Sequence, residues 1–464
     1  MKLNYSKLPE SFYALVQPDV FESARCVFWN EGLIHSFENA FTQEAFESFI
    51  SGKAKWPKET LAMAYAGHQF GHFNMLGDGR ACLIDEWKSL EGKRYDVHLK
   101  GSGATPFSRR GDGRATLKAM LREAIMSEAI HALNIPTTRT LAVAETGDSI
   151  YRNGMEKGGL LARMASSHLR VGTFEYTKLL ENETDIKALA DYAIARHYTQ
   201  LLQTENSYLS LLKEVVRVQI DLVVNWMRVG FIHGVMNTDN MCIAGETIDY
   251  GPCAFMNVYN PKTVFSSIDT QGRYAFGSQP GIAQWNLWVF ANSLLPLIHE
   301  NQNVAKEMAV EVIEAFPSQF GNAYYKMMGE KLGVEINTQE GREWVEELLS
   351  IMEETHSDYT NSFLFLEGKE VVEVYLVNSP RFDLWLAQRN DFNKIESEQV
   401  NPVVIPRNEW VEHVLSEAVD NDNWKLLNEY LNRLKDPYKT FQGEDVFSAF
   451  NPKYDLSFKT FCGT

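Results

Sequence analysis

The sequence predicts an α+β protein of two lobes, a strand-rich first part followed by a helix-rich second part. Three observations carry this expectation. Glycine is concentrated between about residues 67 and 113, where short β-like runs alternate with turns. From Leu117 onward apolar residues recur at helical spacing. The chain, 464 residues long and 45% hydrophobic, can bury a large core. The expected division is 1–150 for the strand-rich lobe and 151–464 for the helical one, with the change of lobe near 146–159 and extra segments at both ends.

In the first lobe, Gly77-Asp78-Gly79-Arg80 forms a turn leading into a strand over 81–84, and 95–100 alternates like a half-buried strand ending at Gly101. Leu117, Leu121, Ala124 and Ile125 mark a helix that stops near Leu133, ahead of Pro136. Beyond about residue 155 the pattern reads as mainly helical. Between Tyr208 and Val229, Leu211, Leu212, Val215, Val218, Leu222, Val223 and Trp226 make one stripe, and Gly230 is its natural stop. A short β-like and loop segment over 231–259 follows, then helices near 280–299, 302–315 and 340–354. The stretch 285–298 contains Asn286, Asn292 and Ser293 and is too short to cross a bilayer, so it reads as a core helix.

Lys and Arg total 44 against 61 for Asp and Glu, a formal charge of -17. Such a balance argues against nonspecific binding to nucleic acid or anionic membrane, so a polyphosphate ligand requires a locally basic pocket. The five cysteines are scattered without a CxxC pair, which points to neither a disulfide framework nor a structural zinc site. With no long apolar run or Arg-rich leader at the start, the cytoplasm is the expected compartment.

The chemistry concentrates in Phe231-Ile232-His233-Gly234-Val235-Met236-Asn237-Thr238-Asp239-Asn240-Met241, followed nine residues after Asn240 by Asp249-Tyr250-Gly251. This arrangement resembles the catalytic loop and metal-binding turn of protein kinases, HRDxxxxN and then DFG. An amide oxygen and a carboxylate on adjoining loops are two hard ligands for a magnesium ion held by nucleotide phosphates, and Asn240 and Asp249 fill those positions. With His233 set on the kinase histidine, the usual catalytic Asp falls on Val235. Asp239 is the carboxylate left in the loop, so either it is the general base or the chain is an inactive kinase.

The turns 77–80, 100–103 and 111–114 offer the small residues and backbone N–H groups of a phosphate cradle. Arg80, Lys100, Arg109, Arg110 and Arg114 make the same region basic. Lys100 at a strand end and Glu123 in the next helix match the kinase lysine and its helix-borne partner. Arg163 and Arg170, seven apart and so near two helical turns, are expected to face one pocket as phosphate ligands.

The strings Tyr-Ala-Gly-His-Gln-Phe-Gly (65–71), Leu-Gly-Asp-Gly-Arg-Ala (76–81), Leu-Lys-Gly-Ser-Gly-Ala-Thr-Pro-Phe-Ser-Arg (99–109), Gly-Asp-Gly-Arg-Ala (111–115), Asn-Thr-Asp-Asn-Met (237–241), Ile-Asp-Tyr-Gly-Pro (248–252), Gln-Gly-Arg-Tyr-Ala-Phe (271–276) and Gln-Pro-Gly-Ile-Ala-Gln-Trp-Asn-Leu (279–287) resemble the selenoprotein O family, also called YdiU. The resemblance runs from about residue 60 to 300 and more weakly to Asn401-Pro402 and the final Cys462-Gly463-Thr464. It implies a protein-kinase-like fold that binds ATP in a reversed orientation and transfers AMP to Ser, Thr or Tyr hydroxyls of proteins. It further implies Asp239 as proton acceptor and Asn240 and Asp249 as ligands of Mg²⁺ or Mn²⁺. Gly77, Gly79, Arg80, Lys100, Asp112, Gly113, Arg163, Arg170 and Asp249 become nucleotide contacts, with Glu123 in support. The expected partners are ATP and protein substrates, with no nucleic acid and no membrane. UMP transfer from UTP, phosphotransfer and a nucleotide-binding scaffold are the alternative readings. Family members often end in selenocysteine or cysteine before two small residues, which implies a redox-sensitive Cys462. The stretch 263–270 holds no cysteine to pair with it, and Cys253 is the candidate nearby.

Overall fold

The computed structural model describes all residues except 1, 153, 181, 372–373, 397, 441–444, 450 and 462–464, so Cys462 lies outside the described residues. Seven strands form the path of the main sheet: β1 (Tyr13–Leu15), β2 (Arg25–Trp29), β3 (Leu61–Met63), β4 (Ala81–Ser89), β5 (Arg94–Lys100), β6 (Arg139–Tyr151) and β7 (Met155–Ala165). Their order is β1-β3-β4-β5-β7-β6-β2, every pairing antiparallel. A separate hairpin, Ala66–Gln69 with His72–Met75, lies off this sheet.

Strand alternation divides the sheet between two cores. Val97, Leu99, Leu160, Ala162 and Met164 fill an outer core with Phe21, Phe46 and Leu141. Leu83, Val143 and Leu161 face inward, where the larger core begins. Helix α1 (Leu117–Ala132) packs on that inner face. It starts because the Thr116 hydroxyl accepts from the Ala119 N–H, and its chain turns out through left-handed Asn134. Leu117, Leu121, Ala124 and Ile125 are all buried, as the spacing predicts.

The helical lobe is built around α2 (Val171–Leu180), α3 (Ser207–Arg228) and α4 (Gln279–Ile298). Asn206 caps α3 through the Leu209 N–H, and Gly230, in the left-handed region, ends its turn. The expected helices over 302–315 and 340–354 are Gln302–Glu314 and Gln339–Glu354. A later helix, α5 (Asn408–Asp420), returns to pack against α1. Among the described residues no helix is long and apolar enough to cross a membrane.

The helical region does not begin near 155, because β7 runs through Ala165 and strands give way to helices only beyond it. The change of lobe placed near 146–159 therefore falls within the β6–β7 hairpin. Gly147, Gly154, Gly158 and Gly159 mimic loop punctuation there, and burial between two cores removes the polar alternation that would mark a surface strand.

Candidate active site

Lys100 ends β5, where Gly101 turns the chain and donates its N–H to the Arg80 carbonyl at 2.7 Å. The ammonium meets Glu123 of α1 at 2.6 Å, the strand-to-helix pair that the sequence predicts. It also meets the Asp249 carboxylate at 2.9 Å. Arg163 on β7 reaches the same Asp249 oxygen at 2.6 Å and Glu123 at 3.1 Å. Arg170 lies 3.7 Å from the other Asp249 oxygen and stacks over the Tyr65 ring at 4.4 Å.

The two arginines do converge, but not along a helix. Arg163 sits on a strand and Arg170 in the bend after it, bridged to Cys242. Helical spacing was the wrong geometry, and the fold brings them together through β7 and the turn into α2.

Three cations thus surround one carboxylate. Burial alone would raise the Asp249 pKa, yet Arg163, then Lys100 and Arg170, hold it well below the ordinary range. Its backbone is left-handed, at φ 60°.

Asp239 has the opposite surroundings. It belongs to the one-turn helix Thr238–Asn240, which the 66–75 hairpin holds down: the Asn237 amide oxygen accepts from the Phe70 N–H at 3.2 Å and the Tyr274 hydroxyl at 2.5 Å. The Thr238 hydroxyl accepts from the His68 N–H at 2.8 Å, and the His68 ring is paired with Glu175 of α2. Gly172 lets α2 approach this close, since a Cβ there would stand 2.1 Å from the Ala66 carbonyl and 3.3 Å from the Asp239 Cα. Asp239 is 8% exposed, and its Oδ1 has no hydrogen-bond partner among the described residues. Burial pushes its pKa up to about 7, against the pull of Arg170, into the range useful to a general base.

The glycine turns close the other wall. Gly113, at φ 69°, presses on the 101–103 turn so tightly that a Cβ would lie 2.0 Å from the Gly103 carbonyl carbon. Gly103 in turn donates to the Gly113 carbonyl at 3.1 Å. Asp112 is gripped by both Arg152 guanidinium nitrogens, at 2.8 and 2.9 Å.

The resulting cleft, about 450 Å³, is lined by Gly77, Gly79, Arg80, Lys100, Asp112, Gly113, Arg163, Arg170, Asp239, Asn240 and Asp249. Glu123 stands behind Lys100, and Val235 lines the cleft in place of the kinase base. Arg109 and Arg114 also line it, Arg114 bound to Asp19 at 2.9 Å. His233 is fully buried and binds the Ile248 carbonyl at 2.9 Å, fixing the chain just before Asp249. Cys253 is buried and its thiol is pushed up to about 12 by that burial.

Tyr65, under the Arg170 guanidinium, and Gly172, behind the Asp239 turn, carry no spacing signal in the sequence. The 65–71 string was conspicuous, but its contact with the 237–240 loop spans some 170 residues and no local spacing reports it.

Among the described residues no cluster of three or more His, Cys, Asp or Glu side chains forms a ready-made metal site. Asn240 donates its amide N–H to the Val235 carbonyl at 2.9 Å, leaving the amide oxygen as its ligating end. With the Asp249 carboxylate this is an all-oxygen donor pair, the chemistry of magnesium or manganese completed by substrate phosphates.

An antiparallel sheet, one helix paired to a sheet lysine, and a catalytic-type loop and metal-type turn in a helical lobe compose a protein-kinase-like fold. Residues 1–435 match the family described as "Protein adenylyltransferase SelO". The chain is 46% identical over 477 residues to the "Protein nucleotidyltransferase YdiU" of Shouchella clausii (strain KSM-K16), covering 99% of this chain and 98% of that protein. It is 47% identical over 478 residues to the protein of the same name from Nitrosococcus oceani, covering 99% and 96%. The protein of that name from Bacillus cereus (strain B4264) is 45% identical over 476 residues, covering 99% and 97%. Among solved structures, ROP2 from Toxoplasma gondii, titled a virulence factor with a protein-kinase fold and no enzymatic activity, covers 72% of this chain and 82% of its own at 11% identity. Its TM-score is 0.25. By the match along nearly its whole length, the chain belongs to the SelO family and is a protein nucleotidyltransferase.

Proposed function

We propose that the cleft binds ATP with Mg²⁺, or Mn²⁺ in its place, and transfers AMP to Ser, Thr or Tyr hydroxyls of proteins, releasing pyrophosphate. The carrying observation is the contrast between two carboxylates of one cleft: Asp249 is wrapped by three cations, and Asp239 is buried with an unpartnered oxygen. Environments that divide two carboxylates so sharply divide their roles. Asp249 with Asn240 would hold the metal, which when bound neutralises phosphate charge. Asp239 takes the acceptor's proton.

The acceptor oxygen forms a bond to the α-phosphorus as the bond from that phosphorus to the β-phosphate's bridging oxygen breaks. Pyrophosphate leaves with the electron pair, and the hydroxyl proton goes to Asp239. Lys100, Arg163 and Arg170 bind phosphate oxygens, and the turns at Gly77, Gly79 and Gly113 bring backbone N–H groups and Arg80 to the same end. So many cations at the inner wall suit a triphosphate whose far end is buried, with the α-phosphorus toward the acceptor. Scattered cysteines and acidic charge fit action on proteins in the cytoplasm, away from nucleic acid and membrane.

Phosphotransfer is the competing chemistry, and Val235 in place of the kinase base speaks against it. ATP labelled separately on the α- and γ-phosphates decides. Label from α alone on protein is expected, and label from γ alone sinks AMP transfer. Labelled UTP run in parallel tests the donor.

A further inference from the structure

Asp96, His98 and Lys100 share the inner face of β5, because strand side chains alternate and Val97 and Leu99 fill the opposite core. All three are buried, His98 completely. Of the three, Lys100 lines the cleft. Buried ionisable groups persist where they are paired, and each of these is: Asp96 with Arg196 at 2.7 Å, Lys100 with Glu123 at 2.6 Å and His98 with Asp78 at 2.9 Å.

The ring of His98 makes polar contacts on two sides. Its Nε2 lies 2.9 Å from the Asp78 carboxylate, which also accepts the Met63 N–H at 2.9 Å. Its Nδ1 lies 3.4 Å from Arg163 Nη2. A guanidinium only donates, so Nδ1 accepts, and the ring hydrogen must sit on Nε2 and point at Asp78. One neutral tautomer therefore satisfies both neighbours. Burial, with the charges of Arg163 and Arg170, lowers the His98 pKa against the pull of Asp78, the same direction as the tautomer its contacts require. The ring plane is fixed by stacking on His168 at 4.3 Å, and the backbone N–H of His168 donates to Asp96 at 3.1 Å.

What this joins is specific. Asp78 is the middle of the Gly77-Asp78-Gly79 turn, and its carbonyl accepts from the Thr105 hydroxyl at 2.6 Å. Arg163 stands directly across from His98 in the β5–β7 register, and Leu83 across from it in the β4–β5 register. His98 thus sits between the strand that follows the glycine turn and the strand that carries the arginine.

We infer that His98 is a positioning residue for nucleotidyl transfer: through Asp78 on one side and Arg163 on the other, it holds the glycine turn and the arginine at the spacing a bound polyphosphate needs. The inference rests on the reading of the cleft as a nucleotide site. It touches no substrate atom itself and acts through the two elements it couples.

Two side chains separate the two arms. Asn at this position presents an oxygen where Nδ1 stood and keeps the Arg163 contact. Gln presents an amide nitrogen where Nε2 stood and keeps the Asp78 contact. In the full chain, His98→Phe, which removes both, is expected to weaken ATP binding by about tenfold, with His98→Asn and His98→Gln each in between. The loss appears in KM for the nucleotide more than in kcat, a split that loss of folded protein alone does not produce. Wild-type nucleotide affinity in His98→Phe overturns the inference. If that variant does not fold, Asn and Gln variants both binding like wild type overturn it instead. Nitrogen-15 NMR of the histidine-labelled, nucleotide-free chain gives a readout independent of ligand. A neutral Nε2–H form at His98, assigned by its loss in His98→Gln, is expected, and an Nδ1–H or cationic form overturns the coupling. Should the wild-type chain bind neither ATP nor UTP, the proposed function fails, while the tautomer still decides on His98.

Discussion

Replacing Asp239 by Asn keeps the side chain's size and removes the carboxylate that lies buried, its Oδ1 unpartnered among the described residues, beside the metal-type turn. Nucleotide binding is expected to survive, and transfer to protein to fall by about 10²–10⁴-fold, the usual contribution of a positioned base. Equal transfer rates in the two proteins, measured with α-labelled ATP, would remove Asp239 from the chemistry. A second carboxylate offers a test through pH. Glu246 accepts the Ser166 N–H at 3.1 Å, and burial raises its pKa from about 4.5 to about 7. The folded chain therefore holds a proton that the unfolded chain gives up, so this contribution to stability is complete below the unfolded value and lost as pH rises through about 7. Glu246→Gln keeps the acceptor and cannot ionise. Its unfolding free energy is expected to rise relative to wild type between pH 5 and pH 8, by about 1–2 kcal/mol allowing for partial solvent access, as denaturant titrations at each pH would read. Asp239, Asn240 and Asp249 are legible in the sequence because their spacing falls inside two adjoining loops. Asp78 and His98 are not, since their meaning lies in a hydrogen bond to each other and to an arginine 65 residues away.

At the scale of elements, the helices were the easy part. Stripes of apolar residues, with Pro136 and Gly230 beyond their ends, locate α1 and α3 to within a residue or two. The β6–β7 hairpin escapes because its glycines and its burial on both faces erase the period-two signal, and with it goes the true setting of Arg163. The contact of α2 with the 66–75 hairpin is likewise invisible until the chain is folded. It gives a sharp expectation for Gly172→Ala, whose added carbon would overlap the Ala66 carbonyl. Relieving that overlap moves the hairpin off the Asp239 turn at a cost of about 1–3 kcal/mol. A lowered melting temperature with nucleotide affinity spared and kcat reduced is the expected pattern. Unchanged kcat would show that the hairpin does not hold the turn.

Across the whole molecule, the two ends of the chain's architecture meet on one helix. Arg122, the neighbour of Glu123, donates to the Cys253 carbonyl at 2.7 Å and to Glu412 of α5 at 2.7 Å. Lys118 reaches Asp420 at 2.8 Å, and Lys157 reaches the Val419 carbonyl at 2.8 Å. Removing the guanidinium in Arg122→Met leaves a buried carbonyl without its donor, a loss of about 1–3 kcal/mol. The melting temperature and the affinity for nucleotide are expected to fall together, and calorimetry on one sample reads both. A drop in melting temperature alone would confine Arg122 to stability. The overall acidity of the chain says nothing of this arrangement, because the charges that matter are a handful gathered at one helix. The tie between Arg122 and Glu412 also sets an order in time. Glu412 leaves the ribosome about 290 residues after Arg122, roughly 15–60 s later at ordinary rates of synthesis. Until then the helix bearing Glu123 lacks its outer brace, so a nascent or prematurely ended chain holds the nucleotide-binding turns without the finished cleft. Ribosome-bound chains halted before residue 408, which lack α5, are expected to bind nucleotide weakly.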